Sequence, residues 1–348
     1  MSKPFRVAIA GFGWFGRIHY EAWLRVPGVE VVAICDTQFS TSIENVKSPQ
    51  DDFHASAYQS PTAVPHTVRR FSDVQAMLTT LSLDMLDVVV PEQVHFEVAR
   101  LGLEHGLNVL VEKPVTLNSQ DLRRLIEIAS EKKKNLYCDH ILRFDSRYFS
   151  VKESIERGGC PPRYMSLQRH FQSSAADVYG RSHPFYAAMI HDLDVAIWLA
   201  GKLPKRVVAN TQNLLGGAYP DSCAAILSWA DGAQAVLQNA WYLPASCPFG
   251  FSFEATVMTA ADTFVIRNPH DIEVWSESRY SSPEMFFWPA SRFGRSGAIV
   301  EALTHFASCA RNDRPSDRVP LPEVCGLYKV IDALSMSAKE NAWVDITL

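Results

Sequence analysis

Short apolar runs alternate with segments of helical periodicity over the first 145 residues. The apolar runs lie at residues 6–10, 29–35, 83–90, 108–111 and 136–142. Apolar positions recur every three to four residues at 17–26, 95–105 and 119–133. This alternation at these lengths predicts strands of a parallel sheet covered by helices. The polar segment 40–70, which holds three prolines, is predicted to be a long loop or insertion.

The pattern changes after about residue 146. Strand-like runs lie at 163–171, 205–213, 222–230, 233–242, 251–258 and 262–267, and helical patterns lie at 147–157, 186–200, 296–311 and 322–341. Hairpin-like turns such as Trp229 to Gly232 favour antiparallel pairing. The sequence therefore predicts an α/β protein of two domains. Residues 1–145 form a Rossmann-type domain, and residues 146–348 form an α/β domain with a large, mostly antiparallel open sheet.

Composition excludes several classes of function. The 33 Lys and Arg residues against 38 Asp and Glu give a net charge of −5, so the chain has no bulk attraction to nucleic acid or to an anionic membrane. No apolar stretch approaches the ~20 residues of a membrane helix. The seven cysteines form no C-x-x-C pair, which argues against a disulfide framework or a metal site. With no visible signal peptide, the expected location is the cytoplasm.

A glycine-rich motif follows the first apolar run. Gly11, Gly13 and Gly16 form G-x-G-x-x-G between a predicted strand and a predicted helix, with Trp14 and Phe15 inside it. In this context the motif predicts a dinucleotide site. The first glycine permits a tight turn, the second leaves room for the pyrophosphate, and the third allows the helix and strand to approach. The helix N-terminus then binds the phosphates.

An acidic residue ends the second predicted strand. Asp36 lies twenty residues after Gly16 and is followed by Thr37 and Gln38. A carboxylate here accepts hydrogen bonds from the adenosine ribose and repels a 2′-phosphate. Because neither following residue is an arginine, the sequence favours NAD over NADP as the cofactor.

Two opposite charges end another buried strand, at Glu112 and Lys113 before Pro114. At this point the chain resembles the glucose–fructose oxidoreductase / inositol dehydrogenase (Gfo/Idh/MocA) family. The resemblance rests on motifs in a fixed order: Gly11 to Gly16 with His19, Asp36, Pro91 to His95, Glu112-Lys113-Pro114, Arg143 to Asp145, and His191 to Asp194 with Trp198. These motifs cover residues 5–200.

The resemblance implies roles for several of these residues. Lys113 would lie beside the nicotinamide and the substrate hydroxyl, with a cis peptide bond before Pro114. Glu112 would lie near the nicotinamide ribose, and Pro91 and His95 would contact the cofactor. The open sheet of the second domain would form oligomer contacts. Since an exposed sheet face tends to be buried, we expect a homodimer or homotetramer.

Hydride transfer from an alcohol needs a cation for the developing alkoxide and a base for the hydroxyl proton. Lys113 supplies the cation, and His191 is the candidate base. His191, Asp194 and Trp198 share one face of a predicted helix. On the substrate side the candidates are Arg143, Arg169 and Asp194, and other polar residues cluster nearby in the chain, at His170, Tyr179, Arg181 and His183.

The chain departs from the family pattern at Ala187. Many members carry an acid there, four residues before the histidine, so Asp194, Asp145 and Asp177 are candidates to replace it. Alternatively, Lys113 and His191 act as a pair without an acid, or the protein no longer turns over. The loss of one acid–base group costs ~10²–10⁴ in rate, which is consistent with a weak enzyme. The favoured function is an NAD-dependent dehydrogenase acting on a secondary hydroxyl of a sugar, sugar derivative or cyclitol. A sugar- or dinucleotide-sensing regulator and a nucleotide-sugar dehydrogenase remain as alternatives.

Overall fold

The computed structural model describes residues 3–40, 64–175, 180–247, 251–267, 274–275, 280–281, 286–291 and 294–347. Most of the predicted long loop, 40–70, lies outside these residues. Within them, no helix is both long enough and apolar enough to cross a membrane.

A six-stranded parallel sheet forms the centre of the N-terminal part. Its strands are β1 (Phe5–Ala10), β2 (Val29–Cys35), β3 (Arg69–Phe71), β4 (Met85–Val88), β5 (Asn108–Glu112) and β6 (Leu136–Asp139). They pair in the order β3-β2-β1-β4-β5-β6, and each pair is parallel. The predicted α/β fold is confirmed. The strand order reverses between β1 and β4, which is where ligands bind in such sheets.

Helices of the described ranges connect these strands: α1 (Trp14–Trp23), α2 (Val74–Thr80), α3 (His95–Glu104) and α4 (Ser119–Lys132). Asn118 caps α4 by accepting a hydrogen bond from the backbone N–H of Asp121 at 2.8 Å. Asp73 caps α2 in the same way. Short polar side chains at these positions satisfy N–H groups that the first helical turn leaves unpaired.

A second, seven-stranded sheet follows. It contains β7 (Tyr164–Gln172), β8 (Arg206–Gln212), β9 (Ser222–Ser228), β10 (Gln234–Leu243), β11 (Phe251–Met258), β12 (Thr263–Arg267) and β17 (Val344–Asp345). The order is β12-β11-β7-β10-β9-β8-β17. Only β7 and β10 pair in parallel, and the other neighbours are antiparallel. The predicted open and mostly antiparallel sheet is therefore confirmed.

Smaller elements complete the C-terminal part. Two hairpins pair β13 (Val274–Trp275) with β14 (Tyr280–Ser281), and β15 (Ala290–Ser291) with β16 (Gly294–Arg295). The helices are α5 (Ser146–Gly158), α6 (Pro184–Ala187), α7 (Met189–Ala200), α8 (Ala298–Arg311) and α9 (Leu321–Glu340). The helical pattern predicted at 186–200 is thus a short turn of helix followed by α7.

One face of the second sheet is covered and the other is open. Along β10, Ala235, Leu237 and Trp241 are buried, whereas the alternate residues Gln238 and Tyr242 are exposed. Helix α7 packs against β7 and β10. Because side chains alternate between the two faces of a strand, this pattern leaves a continuous uncovered face.

The chain divides into two compact units, Met1–Phe144 with Glu284–Pro322, and Asp145–Pro283 with Glu323–Leu348. The first break lies next to the predicted boundary at residue 145. The predicted second domain, 146–348, included residues 284–322, but these residues group with the first unit. Their helix α8 packs against α1 and against the 3-10 turn Ile141–Phe144. Contacts between segments so far apart in sequence leave no local pattern from which to predict them.

Candidate active site

The loop after β1 contains the three glycines of the predicted dinucleotide motif. Gly11 has a φ of +94°, and a Cβ there would lie 2.3 Å from the carbonyl oxygen of Val89. A Cβ on Gly16 would lie 2.1 Å from the carbonyl oxygen of Gly11. Both clashes are with backbone, so neither position accepts a side chain. These two glycines form the tight turn and the close approach of helix and strand.

Gly13 has a different environment. It is exposed, and a Cβ on it would meet nothing within 4 Å. Gly13 is the N-cap of α1, and no side chain of the described ranges caps this helix. A helix N-terminus attracts anions through its N–H groups and its dipole. The open space at Gly13 and the uncapped helix together fit the pyrophosphate of a dinucleotide.

Asp36 follows the last residue of β2, as predicted. One carboxylate oxygen accepts a hydrogen bond from the backbone N–H of Phe12 at 2.8 Å, and the other accepts one from Gln38 at 3.0 Å. Asp36 therefore braces the glycine loop while remaining partly exposed at the carboxyl edge of the sheet. Thr37, next along the chain, is exposed. A fixed carboxylate in this place fits the ribose of an adenosine.

Aromatic side chains gather beside the glycine loop. Trp14 and Phe15 stack with ring centroids 5.3 Å apart, and Trp288 meets both rings edge-on at 5.6 and 5.3 Å. Trp288 comes from the late segment that groups with the first unit. Sequence analysis placed Trp14 and Phe15 in this loop but missed Trp288, because the 273 intervening residues give no signal of its return.

Glu112 is the last residue of β5, and Lys113 and Pro114 follow it. The Lys113–Pro114 peptide bond is cis, which confirms the expectation from the family resemblance. Glu112 is 8 % exposed, and its Oε2 accepts a hydrogen bond from the backbone N–H of Lys113 at 3.1 Å. The Lys113 side chain is partly exposed at the same sheet edge as Gly13 and Asp36. All of these residues lie in the first unit.

His95 has a structural role at this edge. Its Nδ1 lies 2.7 Å from the carbonyl oxygen of Pro114, and its Nε2 lies 2.8 Å from that of Val90. The ring is 2 % exposed, and burial lowers the pKa of His95. With both nitrogens occupied, His95 joins the ends of β4 and β5. These contacts give His95 a positioning role, and the expected direct cofactor contact stays a prediction. Pro91, by contrast, is exposed.

A buried polar cluster lies on one face of the first sheet, next to Glu112. His19 of α1 contacts Asp87 through Nδ1 at 2.9 Å and Glu112 through Nε2 at 3.3 Å. Trp23 donates a hydrogen bond to the same Asp87 oxygen at 2.6 Å. Asp139, which is fully buried, pairs in register with Glu112. Sequence analysis noted His19 and Glu112 but missed both aspartates, whose only signal is an acid inside an apolar run.

In the second unit, His191 lies in the first turn of α7 and is partly exposed. The next residue, Asp192, forms a buried ion pair with Arg169 of β7 at 3.0 Å. Arg169 is 5 % exposed. The two charges neutralise each other inside the unit, so Arg169 fits a role in holding α7 better than the predicted contact with substrate.

Other predicted substrate residues are also buried. Arg143 is 1 % exposed and donates a hydrogen bond to the carbonyl oxygen of Arg318 at 3.0 Å within the first unit. Asp194 is 1 % exposed, and Asp145 pairs with Arg147 at 2.5 Å. Arg143 therefore supports the late segment of its own unit, and its contact with a substrate stays a prediction. Asp177 and Tyr179 lie outside the described residues.

Two further histidines of the second unit are kept neutral by their surroundings. Burial lowers the pKa of His183 to about 4 and also lowers that of His170. His183 caps α6, since its Nδ1 accepts a hydrogen bond from the backbone N–H of Phe185 at 3.3 Å. A neutral ring is needed for that acceptor, so His183 is best explained as a structural residue.

Comparison with known proteins identifies two family models in the chain. Residues 5–140 match an oxidoreductase family with an NAD-binding Rossmann fold, and residues 165–259 match the GFO/IDH/MocA C-terminal domain. Together the two models cover more than half of the chain.

Relatives and solved structures agree with this assignment. An inositol 2-dehydrogenase of Corynebacterium glutamicum is 23 % identical over 288 residues, covering 80 % of this chain and 79 % of its own. A D-apiose dehydrogenase of Paraburkholderia graminis is 22 % identical, covering 99 % of this chain and 90 % of its own. The crystal structure of a myo-inositol 2-dehydrogenase from Lactobacillus plantarum has a TM-score of 0.78 at 21 % identity, covering 99 % of this chain and 100 % of its own. This last likeness establishes the same fold.

Proposed function

The chain belongs to the Gfo/Idh/MocA family of oxidoreductases, and on this premise we propose that it transfers a hydride between NAD and a secondary hydroxyl of a sugar, a sugar derivative or a cyclitol. The names of its relatives, dehydrogenases of inositol and of apiose, support this substrate class. One observation carries the proposal: Gly13, Asp36 and Lys113 lie at the same carboxyl edge of one parallel sheet. That edge is where open α/β sheets bind their ligands.

The first unit would hold the cofactor. The space in front of Gly13 and the N-terminus of α1 would take the pyrophosphate, and Asp36 would bind the adenosine ribose. Trp14 and Phe15 would shield the loop from water. Bound NAD supplies a nicotinamide that accepts or returns the hydride. The residues of the protein bind and orient the cofactor and the substrate, and they move the proton.

Lys113 would provide the positive charge beside the reacting hydroxyl. An ammonium group stabilises the alkoxide that develops as the hydride leaves, and such stabilisation is strongest in a site sheltered from water. Its backbone is fixed on one side by Glu112 and on the other by the Pro114 carbonyl that His95 contacts. A rigid backbone at Lys113 suits a side chain that must be held at an accurate position beside its substrate.

His191 would accept the proton of the substrate hydroxyl at a ring nitrogen. Histidine suits this step because its usual pKa lies near neutral pH. Arg169 and Asp192 support the assignment, since their buried pair fixes the first turn of α7. Ala187 is buried and supplies no acid. Asp145 is committed to Arg147, so we propose that Lys113 and His191 act without a carboxylate at position 187.

We also propose that the open face of the second sheet is covered by another copy of the chain, giving a homodimer or homotetramer in the cytoplasm. The alternate residues of β10 leave this face uncovered in a single chain, and Tyr164 and Met258 of neighbouring strands are exposed as well. Sedimentation should give a mass of at least twice 38.9 kDa. A monomer at micromolar concentration would contradict this part of the proposal.

The decisive experiment is a steady-state screen with NAD over inositols, aldoses and nucleotide sugars. We expect turnover of at least one polyol and a loss of at least ~10²-fold in kcat for Lys113→Met and for His191→Asn. Lys132→Met is the matched control, because Lys132 is an exposed residue at the end of α4. Tight binding of NADH without turnover over the whole panel would overturn the enzyme proposal and favour a sensor.

A further inference from the structure

The four titratable residues His19, Asp87, Glu112 and Asp139, called here the buried acid cluster, occupy one face of the first sheet. Asp87 pairs in register with Leu110, and Glu112 pairs with Asp139. Leu110 and Glu112 are two residues apart in β5, so register places all three acids on the same face. Helix α1 covers them with His19 and Trp23, which are four residues apart. One side-chain nitrogen or oxygen atom from each of His19, Glu112 and Asp139 lies within 4.8 Å of the other two.

These groups are almost completely removed from water. His19, Asp87 and Asp139 are 0 % exposed, and Glu112 is 8 % exposed. Three carboxyl groups this close cannot all remain charged without compensation. Burial alone lowers the pKa of His19, but Asp87 and Glu112 together raise it well above 6.5. Burial, followed by repulsion from Glu112, raises the pKa of Asp139 well above its usual value.

The protonation pattern follows from these directions. The raised pKa of His19 favours its charged form, and its Nδ1 lies 2.9 Å from Asp87 while its Nε2 lies 3.3 Å from Glu112. The raised pKa of Asp139 favours its protonated form, and Asp139 lies opposite Glu112 on the neighbouring strand. The groups facing His19 are Phe15 on its own helix, at 4.8 Å between ring centroids, Asp87 on β4, Glu112 on β5 and Asp139 on β6.

Glu112 connects this cluster to the proposed active site. Nε2 of His19 lies 3.3 Å from Oε1 of Glu112, and Oε2 of the same carboxylate accepts a hydrogen bond from the backbone N–H of Lys113. Freeing one oxygen of a carboxylate allows the whole group to rotate. Loss of the His19 contact would therefore free the Glu112 carboxylate to rotate and would loosen its hydrogen bond to the Lys113 backbone.

We propose that the buried acid cluster is a positioning device for Lys113, in which His19 and Asp139 clamp Glu112 so that Glu112 fixes the Lys113 backbone. The effect on catalysis rests on the proposed function, whereas the clamp itself does not. His19 and Asp139 are positioning residues, since the described contacts place them against Asp87 and Glu112.

The first test uses the unmodified protein and needs no substrate. Nitrogen-15 NMR of histidine-labelled protein, with the His19 signal assigned from His19→Gln, should find both ring nitrogens of His19 protonated at neutral pH. A neutral His19 ring at pH 7 would overturn the proposal, whatever the protein catalyses.

The second test compares two replacements of similar size at one position. Asp139→Asn keeps a donor toward Glu112, whereas Asp139→Leu removes it. We expect the exchange of the Lys113 amide hydrogen to be at least ~10-fold faster in the Leu variant than in the Asn variant. Equal exchange in both would overturn the clamp. This readout also needs no turnover.

The third test measures catalysis with a substrate found in the screen. His19→Gln and Asp139→Leu should lower kcat by ~10–100-fold while changing KM and the NADH dissociation constant less than ~3-fold, and Asp139→Asn should retain kcat within ~3-fold. The control is His105→Gln, because His105 is an exposed histidine of the same unit. Unchanged kcat in both disruptive variants would overturn the positioning role. If nothing in the panel turns over, the proposed function fails while the first two tests still decide the clamp.

Discussion

Two hydrogen bonds, of 3.0 and 3.2 Å, join the guanidinium of Arg169 to the carboxylate of Asp192 in a site that excludes most water. Asp192 follows His191 in the first turn of α7, and Arg169 lies on β7. The pair therefore ties the start of the helix that carries the candidate base to the sheet beneath it.

Removing one partner of this pair should destabilise the protein strongly. Arg169→Met leaves Asp192 buried without its cation, and the expected loss in the free energy of unfolding is about 3–5 kcal/mol. The double variant Arg169→Met with Asp192→Leu should recover part of that loss. Urea denaturation measures both. Lys202→Met, which breaks an exposed pair with Asp231, serves as the control and should have no measurable effect. A stable Arg169→Met protein would refute this prediction.

Substitutions of Gly13 and Gly16 should separate effects on the stability of the protein from effects on its affinity for the cofactor. Gly13→Ala places a methyl group in open space, so it should change the unfolding free energy by about 1 kcal/mol or less. It should also raise the NADH dissociation constant at least ~10-fold, because the methyl group occupies the pyrophosphate space. Gly16→Ala should instead cost about 3 kcal/mol or more through its clash with Gly11. Calorimetric titration with NADH and urea denaturation test the pair. Equal NADH affinity in Gly13→Ala and the wild-type protein would contradict the placement of the phosphates.

Asp36 should determine the choice between NAD and NADP. The wild-type kcat/KM should favour NAD by at least ~10-fold, since a 2′-phosphate would meet a carboxylate. Asp36→Asn keeps an oxygen to accept the Phe12 N–H but removes the charge, so the preference should fall by ~10-fold. Steady-state kinetics with both cofactors measure the ratio. A wild-type preference for NADP would refute this assignment.

Stability should fall as the solution becomes alkaline. The pKa values of His19 and Asp139 are raised in the folded state, so their stabilising contributions are present below the unfolded values and are lost as pH rises through the folded ones. For His19 this loss begins above about pH 6.5. The free energy of unfolding, measured by urea denaturation, should fall between about pH 6.5 and 9. Its slope against pH should be shallower in His19→Gln than in the wild-type protein. An identical slope in that variant would count against the charged state of His19.

Acid should lower the stability of the folded protein because His183 becomes protonated. Because burial lowers its pKa to about 4, its contribution is present above the unfolded value near 6.5 and is lost as pH falls toward 4. His183→Asn keeps an acceptor for the Phe185 N–H and does not titrate. This variant should match the wild type at neutral pH and lose less stability in acid, as measured by thermal unfolding across that range. If both proteins weaken equally in acid, His183 is not the group responsible.

Several parts of the site could be predicted from the sequence because they depend on neighbouring residues. The glycines of the β1–α1 loop follow from local backbone sterics, and Asp36, Glu112 and Lys113 follow from their positions at the ends of apolar strands. Strand ends of a parallel sheet meet at one edge, so local patterns were enough to bring these side chains together. The cis bond before Pro114 came from the family resemblance rather than from any pattern.

The partners of buried charges could not be predicted in this way. Arg143 and Arg169 resembled substrate ligands because a sequence displays charge but not burial, and the fold encloses both. Asp87 and Asp139 resembled interruptions of strands until register placed them opposite His19.

The sequence by itself determined the two sheets, the glycine loop and the polar edge that fits a dinucleotide, since each depends on periodicity or on steric limits within a few residues. Only the tertiary structure decided that Trp288 packs against the glycine loop and that His19 contacts Glu112. Such pairings join segments distant in the chain, and they arise from strand order and register, which are selected by the free energy of packing the whole unit.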